Sequence, residues 1–253
     1  MPTEAHHQKK REMLRFHSAD LGYEGHILLH QVSFSINAGD YIGLVGSAGS
    51  GKTLLLRSLL GIVAPLGGKI SVSPGVRIGY VPELDTVEEA FPLTALEVAV
   101  MGCYRRLGPW RRPREDDRNL AQGALNELGI GHLCHHAYRD LSAMQKHRVL
   151  IARALTGAPH LMVLDESTKG LDMTAEKSLL GLLDRIRVGH KITIVVATDS
   201  LNAVANHCKS IGILNDSQFH LAATGEALQP EFLRKVYGVA LRVVETEGSK
   251  VVI

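Results

Sequence analysis

The residues best suited to chemistry lie in the run Gly46 to Thr53, GSAGSGKT, which fits the phosphate-cradling spacing G-x-x-x-x-G-K-[ST]. Gly46, Gly49 and Gly51 let the backbone turn sharply. Successive N–H groups, those of Ser47, Ala48 and Ser50 among them, then point at a polyphosphate. The dipole of the helix that follows favours the same anion, and the Leu54 N–H lies in its first turn. Lys52 is spaced to reach the β- and γ-phosphates, and the Thr53 hydroxyl to bind Mg²⁺. The bland alternative is an accidental glycine-rich turn, which would not need a lysine, a hydroxyl and a preceding apolar strand together. The pattern predicts a nucleoside triphosphate site.

A second signal is His160 to Glu166, HLMVLDE. An apolar strand that ends in a carboxylate is what Mg²⁺ coordination beside a phosphate loop requires, and Asp165 fills that place. Glu166 is positioned to take a proton from an attacking water, a role worth about 10²–10⁴ in rate. Taken alone, the segment is equally a strand followed by an acidic turn.

These groups need elements to hold them. Asp40 to Val45 reads as a short buried strand before the glycine loop, and Thr53 to Leu60 as the opening of an apolar-faced helix. Leu14 to Ile36 alternates apolar and polar residues in two bursts, which predicts an antiparallel pair. Pro65 to Gly75 is rich in Gly, Pro and Ser and reads as a loop before a strand at Val76 to Val81. Helical periodicity dominates from about residue 87 to 158, broken by Gly102 to Pro113. Strand signals return at Leu161–Leu164 and Ile192–Ala197, with helical spacing at Ala175–Ile186 between them. Strands that alternate with helices imply a parallel α/β sheet, with the helix-rich middle inserted into it. Residues 1–12 read as a flexible polar arm and 13–253 as one domain.

Bulk properties narrow the class. A chain of 253 residues can bury a full core as one large domain. Charged residues make up 21% and apolar ones 45%, ordinary globular values. A net charge of +2 gives no electrostatic case for nucleic acid. No apolar run approaches the ~18 residues of a spanning helix, and the N-terminus lacks a signal-peptide core. Cys103, Cys134 and Cys208 are odd in number and lack a C-x-x-C spacing, which suits free thiols in a reducing compartment.

Leu141 to Leu155, LSAMQKHRVLIARAL, resembles the signature segment of ATP-binding-cassette (ABC) ATPases, whose family form is LSGGQ followed by a basic, apolar helix. Lys169–Asp172 resembles the family's D-loop, IGYVPE (Ile78–Glu83) its Q-loop region and VVATDS (Val195–Ser200) its switch-histidine region. Tyr23 lies where the family places an aromatic that stacks on adenine; core packing is the other reading of it. The match spans about Leu14 to Ala223 with its motifs in the family's order. It implies an ABC ATPase fold: an α/β P-loop NTPase with a RecA-like parallel core, an antiparallel β subdomain and an inserted α-helical subdomain. It also implies ATP and Mg²⁺ as cofactors, and a second ABC ATPase subunit and transmembrane permease subunits as partners. A substrate-binding protein would take part indirectly, and the chain would sit at the cytoplasmic face of the membrane. Phe91–Arg118 and Lys235–Val244 are similar to the ATPase subunits of zinc/manganese-type importers, and the second stretch also to those of iron-chelate importers.

The departures from the family pattern carry their own expectations. Glu83 stands in place of the Q-loop glutamine; its carboxylate can approach Mg²⁺ but adds negative charge near the γ-phosphate. Ala143 and Met144 replace the two signature glycines, while Ser142 and Gln145 are kept as candidate contacts to a partner's nucleotide. Thr198 stands at the switch-histidine place, and losing that imidazole contact is worth about 2.7–4 kcal/mol of barrier by analogy with an oxyanion donor. Slow hydrolysis with intact ATP binding is the expectation, and an ATP-sensing module with little hydrolysis is the alternative. His132, Cys134, His135 and His136 have metal-ligand composition without zinc-site spacing, and read as a solvated edge. Arg105, Arg106, Arg111, Arg112 and Arg114 around Trp110 read as a solvated face near the membrane-subunit contact.

Overall fold

The computed structural model describes residues 11–84, 92–107, 111–166, 172–237, 242–246 and 249–252. The early alternation produces two long antiparallel strands, β1 (Glu12–Tyr23) and β2 (His26–Asn37), so the chain is already in a sheet at Glu12, within the expected arm. They turn at Glu24 and Gly25, both at positive φ, as a tight hairpin requires. β3 (Tyr41–Val45) and the helix α1 (Lys52–Leu59) flank the glycine loop. The Pro65–Gly75 stretch is not only loop. Gly67–Val72 forms β4, which pairs with the free edge of β1 and completes a three-stranded sheet of order β2-β1-β4. Pairing with a ready edge outweighs the glycine content, and Gly68 sits at φ 69 where its missing side chain lets the backbone meet Ser18.

The second sheet has six strands. β5 (Ile78–Val81), β6 (Leu161–Leu164), β7 (Thr193–Thr198), β8 (Ser210–Asn215) and β9 (Gln218–Ala223) join β3 in the order β5-β6-β7-β3-β8-β9. All neighbours are parallel except β8 and β9, which form a hairpin at the edge. The continuous apolar runs are explained by burial on both faces. Ile42, Leu44, Leu161, Val163, Val195 and Ala197 join a core with α1, β1 and β2. The alternate residues Tyr41, Val45, Met162, Leu164, Ile194 and Val196 join a second core with the helical layers.

Between β5 and β6 the chain is helical. It forms α2 (Ala95–Val100), a 3₁₀ turn, α3 (Tyr104–Leu107), α4 (Glu115–Glu127) and α5 (Ala143–Thr156). The first turn of α4 carries Glu115, Asp116 and Asp117, which complement the positive end of its dipole. After β6 follow α6 (Met173–His190), α7 (Leu201–Ala205), α8 (Thr224–Ala227), α9 (Pro230–Tyr237) and a hairpin of β10 (Val243–Thr246) with β11 (Ser249–Val252). Asn202 of α7 and Asn206, which follows the helix, each accept from and donate to the backbone of β11, at Val252 and Lys250, and fasten the hairpin.

Candidate phosphate site and its surroundings

Parallel pairing brings the carboxyl ends of β5, β6, β7 and β3 side by side. Val81 pairs with Leu164, Leu164 with Val196, and Thr198 with Val45. The segments leaving these ends carry Glu83, Asp165 and Glu166, Asp199, and the glycine loop. Ligands of open α/β sheets bind in the crevice outside such strand ends.

Gly49 and Gly51 sit at φ 80 and 99, where only glycine is comfortable. Gly46 is needed for space: a Cβ there would meet Ser50 Oγ and the Leu214 carbonyl. Gly51 precedes α1 with no side-chain cap, so the first N–H groups of the helix are left for another acceptor. Lys52 is 3% exposed. Its ammonium donates to Gly46 O at 2.7 Å, Ser47 O at 3.2 Å and Asp199 Oδ1 at 2.5 Å, and lies 3.7 Å from Glu166 Oε1. Leu54 is buried, so only its backbone can serve a ligand; Ala48 and Gly49 at the loop's tip are exposed. Ser50 Oγ is buried without a hydrogen-bond partner among the described residues.

Asp165 is 4% exposed and accepts a hydrogen bond from Tyr80 Oη at 3.3 Å through Oδ2. Its Oδ1 is buried with no partner among the described residues. Burial raises its pKa above the usual carboxylate value, and Glu166 and Glu83 add to the rise. Burial and the same carboxylate push the Tyr80 phenol up to about 12. A buried carboxylate oxygen with no partner among the described residues, with two further carboxylates acting on it, suits a hard cation. Among the described residues no three His, Cys, Asp or Glu side chains form a cage by themselves. Mg²⁺ takes one or two protein ligands and completes its shell with phosphate and water. Glu166 adopts φ 42, a left-handed backbone costing about 1–3 kcal/mol in a non-glycine residue, of the kind that gathers at functional sites.

Thr198 closes β7, one residue before the carboxylate that holds Lys52. As the last residue of β7 it is 2% exposed, and its hydroxyl accepts from Ser200 N at 3.1 Å. Asp199, one step beyond the strand, turns outward and holds Lys52. An acidic residue directly after the β7 run was the available signal for it. Tyr23 ends β1 and is 42% exposed, so it lies outside the two buried cores. Ser142 and Gln145 stand apart from the loop cluster and bond to each other: Ser142 caps α5, accepting from Gln145 N, while Gln145 Oε1 accepts from Ser142 N at 2.9 Å. Ala143 and Met144 occupy ordinary helical positions without positive φ, so glycine's backbone freedom is not required there and the substitutions change only space. About one turn into α5, His147 is 2% exposed, its Nε2 lacks a partner among the described residues, and burial lowers its pKa to about 4.

The other expected clusters are dispersed. His132, His135 and His136 are exposed around a buried Cys134. Arg106 pairs with Asp117 at 2.5 Å and Arg105 donates to Ile78 O, so these two arginines are tied into the fold. Residues 1–10, Phe91, Trp110, the D-loop residues Lys169, Gly170 and Leu171, and 238–241 lie outside the described residues. No helix among the described residues is long and apolar enough to cross a membrane.

A glycine loop at the carboxyl end of a parallel strand, with a buried aspartate at the end of a neighbouring one, defines a P-loop nucleotide-binding protein of the α/β class. The ABC transporter family profile matches residues 29–169, more than half of the chain, which therefore belongs to that family. An ATP-binding protein of Thermotoga maritima named for a metal transport system is 34% identical over 210 residues, covering 83% of this chain and 84% of the relative. The manganese transport system ATP-binding protein MntB of Bacillus subtilis is 31% identical over 240 residues, covering 91% and 96%. Among solved structures, a chain of an inward-facing transporter named as metal-chelate type superposes with a TM-score of 0.86 at 28% identity, covering 96% of both chains.

Proposed function

We propose that this chain is the ATP-hydrolysing subunit of an importer for a metal ion or metal chelate, and that it turns over slowly. The observation that carries the reading is the meeting of Lys52, Glu166 and Asp199 at the strand ends beside the buried Asp165. In this reading the loop N–H groups and Lys52 bind the β- and γ-phosphates, and Tyr23 stacks on adenine. Thr53 and Asp165 hold Mg²⁺, with Glu83 beside them; the bound ion neutralises charge on the phosphates. Glu166 orients a water and accepts its proton. Ser142 and Gln145 face the nucleotide of a second ABC ATPase subunit, so each site is completed across a dimer. Closing and reopening of that dimer would drive permease subunits at the cytoplasmic face of the membrane, fed by a substrate-binding protein. The names of the relatives support the metal cargo.

Slow turnover follows from chemistry at three places. Glu83 brings an extra charge, Met144 crowds the signature, and no imidazole follows β7. The test is Mg²⁺-dependent phosphate release by the purified chain beside Glu166→Gln, together with metal accumulation by cells carrying each form. Release that is slow for a P-loop ATPase, and lost in the variant along with metal uptake, is expected. Equal release by both forms would remove Glu166 from its role, and unchanged uptake would remove the metal cargo. Glu83, Ala143, Met144 and Thr198 favour a second reading, an ATP-sensing module: it would dimerise on ATP without releasing phosphate.

A further inference from the structure

A lysine ammonium has three hydrogens to give. In this chain all three are committed, to Gly46 O, Ser47 O and Asp199 Oδ1. The two carbonyls are neutral and belong to the loop itself. Asp199 is the charged partner at hydrogen-bond distance, and at 2.5 Å it makes the shortest of the three contacts. It reaches Lys52 from the next strand over, because β7 lies directly beside β3. We propose that Asp199 occupies on Lys52 the place of a terminal phosphate oxygen, and thereby sets the preference of the site between nucleoside triphosphates and diphosphates. The inference rests on the reading that the glycine loop binds ATP.

The physical argument is one of like charge. A diphosphate is gripped by the loop N–H groups and can share Lys52 with Asp199. A triphosphate brings a further anionic group into the volume that the carboxylate fills. It must displace Asp199 from Lys52 or bear the repulsion of a carboxylate at contact distance. Asp199 is able to leave: its side chain is 58% exposed at the start of a loop, so water replaces the lost partner. The buried Lys52, 3% exposed, is not able to leave. The carboxylate therefore acts as an exchangeable stopper, and its effect falls on the triphosphate more than on the diphosphate. This is a role that an imidazole or an amide at the same position would not play.

The experiment measures, by calorimetry with Mg²⁺, the dissociation constants of ADP and of the non-hydrolysable β,γ-imido analogue of ATP. The chain is compared with Asp199→Asn and Asp199→Glu. Asparagine keeps the shape and removes the charge, and should lower the ratio of triphosphate to diphosphate dissociation constants by about 5-fold, the scale of an exposed ion pair. Glutamate keeps the charge and should retain the ratio of the parent chain. A ratio unchanged within about twofold in Asp199→Asn, or an equal gain for both nucleotides, overturns the proposal and leaves the ATP site standing. Failure of the parent and both variants to bind either nucleotide overturns the ATP-site reading and the proposal together. Asp199 is exposed and both variants should fold; without nucleotide Asp199→Glu should melt close to the parent, and Asp199→Asn lower, because it leaves the buried Lys52 without its carboxylate partner.

Discussion

The carboxyl ends of β3, β6 and β7 and the N-terminal start of α5 each carry polar groups suited to a nucleotide, yet they meet their electrostatic needs in opposite ways. At the sheet, charge is buried and only partly compensated: Lys52 is held by three acceptors, while among the described residues one oxygen of Asp165 has no partner. At α5 the capping box satisfies itself and stands toward solvent. The first arrangement is a preorganised site whose charges cost stability until a ligand arrives. The second costs nothing while it waits, which suits a surface that works only against another molecule. On the proposed reading, one chain holds a charged cluster ready at the sheet and offers the start of α5 to the site of a partner.

The largest test of this contrast is Glu166→Gln, which should lower phosphate release by about 10²–10⁴ while nucleotide binding persists, since a proton acceptor is lost and no binding group is. A pH titration of stability comes next, and probes the buried side of α5. His147 is held neutral with its pKa near 4, whereas in the unfolded chain it protonates near the ordinary value of about 6.5. Between these values the unfolded state binds the extra proton, so stability falls as pH drops through the window, by roughly 3 kcal/mol at most. Urea melts of the chain and of His147→Leu at pH 7 and 5 should show the loss in the parent and little of it in the variant.

Tyr23→Ala should weaken nucleotide binding by about 1–3 kcal/mol, the range of base–aromatic stacking, without changing the melting temperature, because the ring is half exposed. An unchanged dissociation constant would return Tyr23 to a packing role. The smallest effect is expected for Met144→Gly. It should lower helix stability by about 1 kcal/mol and leave the nucleotide affinity of the isolated chain unchanged. ATP-dependent dimerisation, followed by light scattering, should increase as the signature surface clears. A changed affinity in the monomer would break the division between the two regions.

Much of the site was legible because its signals are local. The glycines, Lys52 and Thr53 are set by one loop, and Asp165 with Glu166 by the end of one apolar strand. Thr198 shows where local reading stops. The motif places the functional group near the end of β7, but the side of the strand on which each residue emerges depends on where regular pairing ends, and pairing to Val45 takes Thr198 into the core. β4 was hidden by its glycines, because its stability comes from the open edge of β1. The β8–β9 hairpin was hidden because Asp216 and Ser217 turn at positive φ without the glycine that usually marks such a turn.

The sequence by itself determined the chemistry available: a phosphate loop, a carboxylate pair, a signature-like segment and an α/β alternation, all written in residue type and short spacing. Tertiary structure alone decided which groups meet. The strand order puts β7 between β6 and β3, so Asp199 and Glu166 reach the same lysine from segments far apart in the chain. It also decided that Asp165 is buried with an oxygen to spare. Long-range pairing and burial set distances and dielectric, and neither is encoded in any single stretch of residues.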